Sequence, residues 1–326
     1  MARLDGEVVA VTGASGFIGA RLVEHLIAGS NARVRALIRS YDRLSRLSEL
    51  PQDRLSFHVA DVARPAAVRE AVGDASIIVH CAFGSHGDEQ AQFDSTVEGA
   101  RCVAEAAGAS ARRLVHLSTA AIHDPRGLEA FDEDSPLVED EGLTYENAKL
   151  QAERIMLAAR CPTVALRPTV VYGPWGRDWT ITPLQRLTDG VRGLPGGGAA
   201  HPSNAVYVDD VVGAILSACE RDCVGPILVA GAEPLSWAAF YDAYRAMLGS
   251  PPGGGDGADL PEWEQQLYSQ PAMARLDRAR DLLGYRPRVS HARGMALVEA
   301  WYGWWTGRVA APAALSPPAQ VGGQTR

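Results

Sequence analysis

Glu7–Val11 is an apolar run that stops at a glycine-rich turn, and from Phe17 to Ala28 apolar residues recur at helical spacing up to Gly29. Short apolar runs return at Arg33–Ile38, Leu55–Val59, Ile77–His80, Arg113–Leu117 and Val164–Leu166. Helical patterns separate them, among them an alanine-rich segment from about Gln90 to Ala107 and another that starts near Tyr145. Strands alternating with helices of this length predict βαβ units and a parallel sheet. With right-handed crossovers the expected fold is α/β, a doubly wound sheet covered on both faces.

Beyond Pro168 the pattern loosens. Residues 173–204 are rich in Gly, Pro and Trp and include Pro195–Gly198, a loop-rich composition that often shapes binding sites. Val206–Val208 reads as a return strand, with Asp209 or Asp210 expected to cap a helix running to about Cys219. Several helices follow over 231–306, split by a flexible Pro251–Gly257 segment, and residues 308–326 have the composition of a disordered tail. The expected organisation is therefore a nucleotide-binding domain over 1–172, with 204–230 returning to it. A smaller lobe takes 173–203 and 231–306, and the tail begins at 307.

Composition narrows the classes of function. The 326 residues are 47% hydrophobic and carry a formal net charge of −8, which argues against a general nucleic-acid or anionic-membrane binder. The five cysteines are odd in number and scattered, so no disulfide framework is expected and no metal site is read from them. No apolar run approaches the length of a membrane span and no signal-type core opens the chain, so the cytoplasm is the default expectation.

Thr12-Gly13-Ala14-Ser15-Gly16-Phe17-Ile18-Gly19 joins the first strand to the first helix. Gly13 permits the tight turn, Gly16 lets backbone approach a pyrophosphate, and Gly19 lets helix pack close to strand. The helix N-terminus adds free N–H groups and a favourable dipole for an anion. An NAD enzyme would carry a carboxylate after the second strand for the ribose 2′-hydroxyl, whereas this strand ends in Arg39. A guanidinium suits a 2′-phosphate, so NADP is expected over NAD.

Tyr145 and Lys149 stand four residues apart on a helix whose apolar stripe (Ala148, Ala152, Ile155, Met156, Ala159) is independent of them. A phenol titrates near pH 10, and a neighbouring cation lowers that value, so Lys149 could tune Tyr145 as a general acid/base. Upstream, the fifth strand ends in Leu117-Ser118-Thr119, which offers hydroxyls to a substrate oxygen.

The GxxGxxG loop, Tyr145-Glu146-Asn147-Ala148-Lys149 (YxxxK), Arg167-Pro168-Thr169-Val170-Val171-Tyr172-Gly173-Pro174 and Leu283-Gly284-Tyr285-Arg286-Pro287 together resemble the extended short-chain dehydrogenase/reductase group, the NAD-dependent epimerase/dehydratase family. The resemblance runs from Val8 to about Tyr302 and implies a Rossmann-type domain with Thr119, Tyr145 and Lys149 as catalytic residues and Ser118 beside them. It implies cofactor contacts from Gly13, Ser15, Gly16, Phe17, Ile18, Gly19, Arg39, Asp61, Val62, Cys81, Ala82, Phe83, Tyr145, Lys149 and Pro168. Trp175, Trp179 and Arg186 are candidate substrate contacts, whereas Arg167 and Asp210 read as structural. The family also implies a homodimer built on the helices at 90–107 and Tyr145.

The departures select among reactions. Sugar dehydratases of the group follow the catalytic threonine with an Asp-Glu pair, and the related decarboxylases want a glutamate there; this chain has Ala120 and Ala121. Nucleotide-sugar epimerases place an asparagine and an arginine for the diphosphate where Val170 and Ser203 stand. The stretch Val34–Ser40 resembles the NADP-dependent ketone reductases instead. A ketoreductase acting on a small molecule is therefore expected, the alternatives being an epimerase with tightly bound NAD and a non-catalytic NADP-binding protein.

Overall fold

The computed structural model describes residues 4–190, 199–249 and 260–307. Pro195–Gly198, Pro251–Gly257 and the tail from 308 lie outside the described residues. Four strands, β1 (Val8–Thr12), β2 (Arg33–Ile38), β3 (Leu55–Val59) and β4 (Ile77–His80), alternate with α1 (Phe17–Gly29) and α2 (Pro65–Val72). After α3 (Glu89–Ser110) come β5 (Arg113–Leu117), the two-residue β6 (Ala130–Phe131), α4 (Tyr145–Leu157), β7 (Thr163–Pro168) and the short β8 (Val171–Tyr172). Then α5 (Thr182–Thr188), β9 (Val206–Tyr207), α6 (Val208–Glu220) and β10 (Gly225–Val229) complete the central layer and its first excursion. The remainder is α7 (Trp237–Met247), α8 (Glu262–Tyr268), β11 (Met273–Ala274), α9 (Asp277–Leu283) and α10 (His291–Trp305).

The main sheet has the order β10-β7-β5-β4-β1-β2-β3, every pairing parallel. The order reverses beside β1, which is the switch point where such sheets open a crevice beyond their strand ends. Alternation along the strands divides the core. Val9, Val11, Ile77, Val79, Val115 and Leu117 face α1 and α6, whereas Val8, Ala10, Ile78 and Leu114 face α2, α3 and α4. Asp88 caps α3 by accepting from the Ala91 N–H at 2.8 Å, and Thr144 caps α4 by accepting from Asn147 at 3.1 Å. A third apolar cluster, built from Tyr172, Leu184, Trp237, Phe240, Tyr244, Tyr268 and Val298 among others, fills the C-terminal lobe.

Two expectations need correction. Val206–Val208 does not return to the main sheet: Val206–Tyr207 pairs with Val171–Tyr172 in a separate two-stranded sheet, and the seventh main strand is β10. Neither Asp209 nor Asp210 caps α6, because both lie inside its first turn. Asp209 pairs with Arg21 of α1 at 2.5 Å, and Asp210 accepts from the Arg288 N–H at 2.7 Å, so each ties α6 to another element.

Arg167 on β7 is buried and donates to Glu153 of α4 at 2.6 Å, to the Glu133 carbonyl at 3.1 Å, and bonds His123 Nε2 at 3.0 Å. This pair fixes α4, and with it the Tyr145 helix, to the sheet. Removing one partner of a buried pair strands the other, at a cost of about 3–5 kcal/mol. Glu153→Ala is expected to lower the urea midpoint accordingly without changing the slope of the transition, while replacement of both Glu153 and Arg167 by Met recovers much of the loss.

Candidate active site

The site begins at the ends of β1, β4 and β5. Gly13 adopts φ +64°, and a Cβ there would lie 2.8 Å from the Ala82 nitrogen, so only glycine lets the turn pass the β4 loop. At Gly19 a Cβ would stand 2.2 Å from the Gly13 carbonyl oxygen, which is the close helix-to-turn packing the motif requires. Gly16 is the N-cap of α1 and no side chain caps that helix, leaving its first-turn amides available to an anion. These features fit a dinucleotide pyrophosphate. Ser15, Phe17 and Ile18 are half-buried in the same loop.

Around the loop, the other expected cofactor contacts are gathered at the same end of the sheet. Asp61 and Val62 follow β3, with Val62 packed beneath Gly99 of α3. Cys81, Ala82 and Phe83 follow β4, and Pro168 ends β7. Arg39 follows β2 directly, and its Nη1 lies 3.0 Å from His86 Nδ1, on the loop after β4. Ser85 Oγ is also 3.0 Å from that nitrogen.

The first turn of α4 presents Tyr145 at the cleft, the residue 48% exposed and its ring edge-on to Phe83 at 6.2 Å. Thr119, just past β5, lies near enough to the phenol to lower its pKa and accepts from the Ala121 N–H at 3.1 Å. Lys149 is buried one turn below, where its Nζ donates to the Leu117 carbonyl at 2.6 Å and lies 5.9 Å from the Phe83 ring centre. Ser118 is buried with its hydroxyl unpartnered among the described residues, so Thr119 rather than Ser118 meets Tyr145.

Electrostatics differ from the simple tuning scheme. Burial pushes the Tyr145 phenol up to about 12, against the opposing influence of Thr119, and the charges of Asp178 and Glu146 push the same way. The expected lowering by Lys149 is therefore not what the protein alone provides. Burial draws the Lys149 ammonium down to about 8, with Cys81 and Glu153 resisting. Behind Lys149, His80 and His116 stack at 5.5 Å, and His80 Nδ1 lies 2.8 Å from Thr12 Oγ1. Burial holds His80 down to about 3 and His116 well below its ordinary range, with Lys149 adding to both. The sequence reading missed this pair, although the two histidines end adjacent strands and the period of two would have placed them on one face.

The three candidate substrate contacts do not converge. Trp175 packs against Trp301 and Trp304 of α10 at 5.5 and 5.7 Å and under Arg46, on the α1 side of the lobe. Arg186 forms a two-pronged pair with Glu264 at 2.6 and 2.7 Å, which occupies its guanidinium. Trp179 packs at a tilt against Trp237 in the lobe, ring centres 5.3 Å apart. The residue nearest them that does act on Tyr145 is Asp178, which no sequence motif singled out.

A glycine loop shaped for pyrophosphate, beside a tyrosine and a buried lysine on one helix face, defines a Rossmann-type oxidoreductase of the extended short-chain dehydrogenase/reductase class. The chain belongs to the NAD dependent epimerase/dehydratase family, whose model matches residues 9–231. It is 34% identical to a 3-diazoavenalumate denitrifying reductase of a Streptomyces species over 86% of this chain and 95% of that one. It is 30% identical to the 4-hydroxy-2-methyl-3-oxo-4-farnesyl-3,4-dihydroquinoline-1-oxide ketoreductase of Stigmatella aurantiaca over 87% of this chain and 93% of that protein. The fold is shared with the UDP-glucuronic acid 4-epimerase of Bacillus cereus, solved with UDP-glucuronic acid and NAD, at a TM-score of 0.77 and 20% identity over 91% of this chain and 99% of that one. Among the described residues no helix is long and apolar enough to cross a membrane, and no group of metal-ligating side chains forms.

Burial of Lys149 makes a stability prediction. Between about pH 8 and the ordinary lysine value of 10.5, the unfolded chain holds a proton that the folded protein has released. The unfolded state therefore binds more protons in that window, and stability rises with pH there. In the difference between wild type and Lys149→Met, followed by urea denaturation of the cofactor-free protein, the wild type is expected to gain stability from about pH 8 to 10.5 relative to the variant.

Proposed function

We propose that the protein is an NADP-dependent ketoreductase acting on a small molecule. The observation that carries this reading is the junction of Thr119, Tyr145 and Lys149 at the mouth of the phosphate loop. The backbone of Gly13 to Gly19 would hold the pyrophosphate, and Lys149 and Tyr145 the nicotinamide ribose. When bound, the nicotinamide supplies a hydride to the carbonyl carbon. Tyr145, protonated throughout the neutral range, gives its proton to the carbonyl oxygen while Thr119 holds that oxygen in line. The buried Lys149 ammonium, fixed on the Leu117 carbonyl, stabilises the negative charge that remains on Tyr145.

One feature argues against the eliminating and decarboxylating reactions, and two others favour a reductase over the epimerase alternative. Ala120 and Ala121 follow Thr119 and exchange no protons, which leaves elimination and decarboxylation without a base. Val170 and Ser203 are both buried, and the Ser203 hydroxyl donates to the Leu235 carbonyl at 3.0 Å, so neither is offered to a diphosphate. Arg39 with His86 beside it gives donors rather than a carboxylate at the adenosine end, which supports NADP. Two relatives that span most of the chain, at 34% and 30% identity, carry the names of reductases, and a third, at 27%, that of a dTDP-glucose 4,6-dehydratase. A cytoplasmic homodimer, joined through α3 and α4, with the lobe of residues 173–203 and 231–306 closing over substrate, completes the proposal.

The purified protein is expected to carry no nicotinamide through gel filtration and to prefer NADPH over NADH in titration. Tightly retained NAD with no preference for NADPH would overturn the reading. Arg39→Ala is expected to raise the KM for NADPH roughly tenfold to a hundredfold while leaving that for NADH nearly unchanged, the size of a lost charge-assisted hydrogen-bond pair. Tyr145→Phe is expected to keep cofactor affinity and lose about 10²-fold or more in kcat.

A further inference from the structure

Arg39 follows β2 and His86 lies on the loop between β4 and α3, so the two leave strands that flank β1 on either side. Their contact, Arg39 Nη1 to His86 Nδ1 at 3.0 Å, crosses in front of the strand end that carries the phosphate loop. The loop that brings His86 there is fixed at both ends. The Gly84 N–H donates to Thr96 Oγ1 of α3 at 2.9 Å, and a Cβ on Gly84 would stand 2.1 Å from the Gln92 carbonyl oxygen. Past His86, the Gln92 side chain donates to the Gly87 carbonyl at 2.9 Å, and Asp88 caps α3. On the other side, the Ala60 N–H donates to the Ile38 carbonyl at 2.9 Å, which holds the end of β2 next to Arg39.

The chemistry of the pair has one direction. A guanidinium carries no acceptor, so Nδ1 of His86 must accept from Arg39 and carry no proton of its own. Ser85 Oγ lies 3.0 Å from the same nitrogen. A neutral acceptor of this kind orients a guanidinium without cancelling its charge. A carboxylate does both, as where Arg35 of β2 is taken up by Asp74 at 2.8 Å. An arginine that is already held also loses less rotamer freedom when it engages an anion. We infer that His86 is a positioning residue for Arg39: its Nδ1 holds the guanidinium across the adenosine end of the crevice, charge intact, for the 2′-phosphate of NADP. The inference rests on the NADP reading of Arg39. It goes beyond that reading in making the choice between NADPH and NADH depend on a residue of the loop after β4 that acts through Arg39.

The test uses the cofactor-free full chain at about pH 8, above the ordinary imidazole range. It reads the ratio of the NADH to the NADPH dissociation constant from nicotinamide fluorescence. Because NADH is the internal reference, a loss of folded protein does not move the ratio. His86→Ala is expected to lower the ratio about threefold to tenfold, the size of one orienting hydrogen bond. His86→Asn, whose side-chain oxygen can take the place of Nδ1 as acceptor, is expected to recover most of that loss. In an Arg39→Ala background, His86→Ala should change the ratio less than about twofold, because the residue through which it acts is gone. An unchanged ratio in His86→Ala, an equal fall in the Arg39→Ala background, or His86→Asn as low as His86→Ala would overturn the inference while leaving the NADPH preference in place. A wild type with no preference for NADPH would contradict the NADP reading, and the inference with it.

Discussion

The contact on which the site depends is the hydrogen bond from Lys149 Nζ to the Leu117 carbonyl at 2.6 Å. It fixes the base of α4 to the end of β5, and so sets the distance between the Tyr145 phenol on one element and Thr119 on the other. A buried ammonium is costly unless satisfied, and here the backbone carbonyl and the Phe83 ring face it. The same burial that draws its proton affinity down leaves two neutral histidines, His80 and His116, behind it on the same side. Further along α4, Glu153 and Arg167 hold the helix against β7. The catalytic helix is thereby fixed at two heights one turn apart.

Much of this was legible in the sequence because its physics is local. The glycine spacing reports a turn that a Cβ cannot enter, and the structure shows the obstructing atoms at Gly13 and Gly19. The valine- and isoleucine-rich runs mark buried parallel strands, and the Tyr145 helix carries its own apolar stripe and a threonine cap. What was not legible depends on contacts remote in sequence. Arg186 reads as a free cation until Glu264, 78 residues later, is brought against it. Val206–Tyr207 reads as a return to the main sheet until its pairing with β8 is known, while Gly225–Val229 takes the vacant edge next to β7. Asp178 carried no pattern at all, since a single aspartate next to a tryptophan has no period.

Trp175 illustrates how the lobe constrains the loop that precedes Asp178. It occupies the third position of a tight turn closed by the Gly176 N–H on the Gly173 carbonyl, with φ +73°, a region that favours glycine. For a bulky side chain this costs on the order of 1–3 kcal/mol and persists only where the surroundings impose it. Here Trp301, Trp304 and Arg46 close around the indole. The sequence offers Trp175 as a candidate substrate contact; in the structure its indole packs in the lobe, next in the chain to Gly176, which lies against Phe17. Through Trp175 and Gly176, lobe packing meets the phosphate loop.

The central claim is that this site moves one hydride outward from NADPH to a ketone, with one proton from Tyr145. The most direct measurement is mass spectrometry of the product formed from a ketone substrate and NADPH deuterated at the transferable C4 position. The account predicts one deuterium on the new carbinol carbon and one NADP released for each product. Product without label, or a substrate whose stereocentre inverts with no net consumption of NADPH, would contradict it.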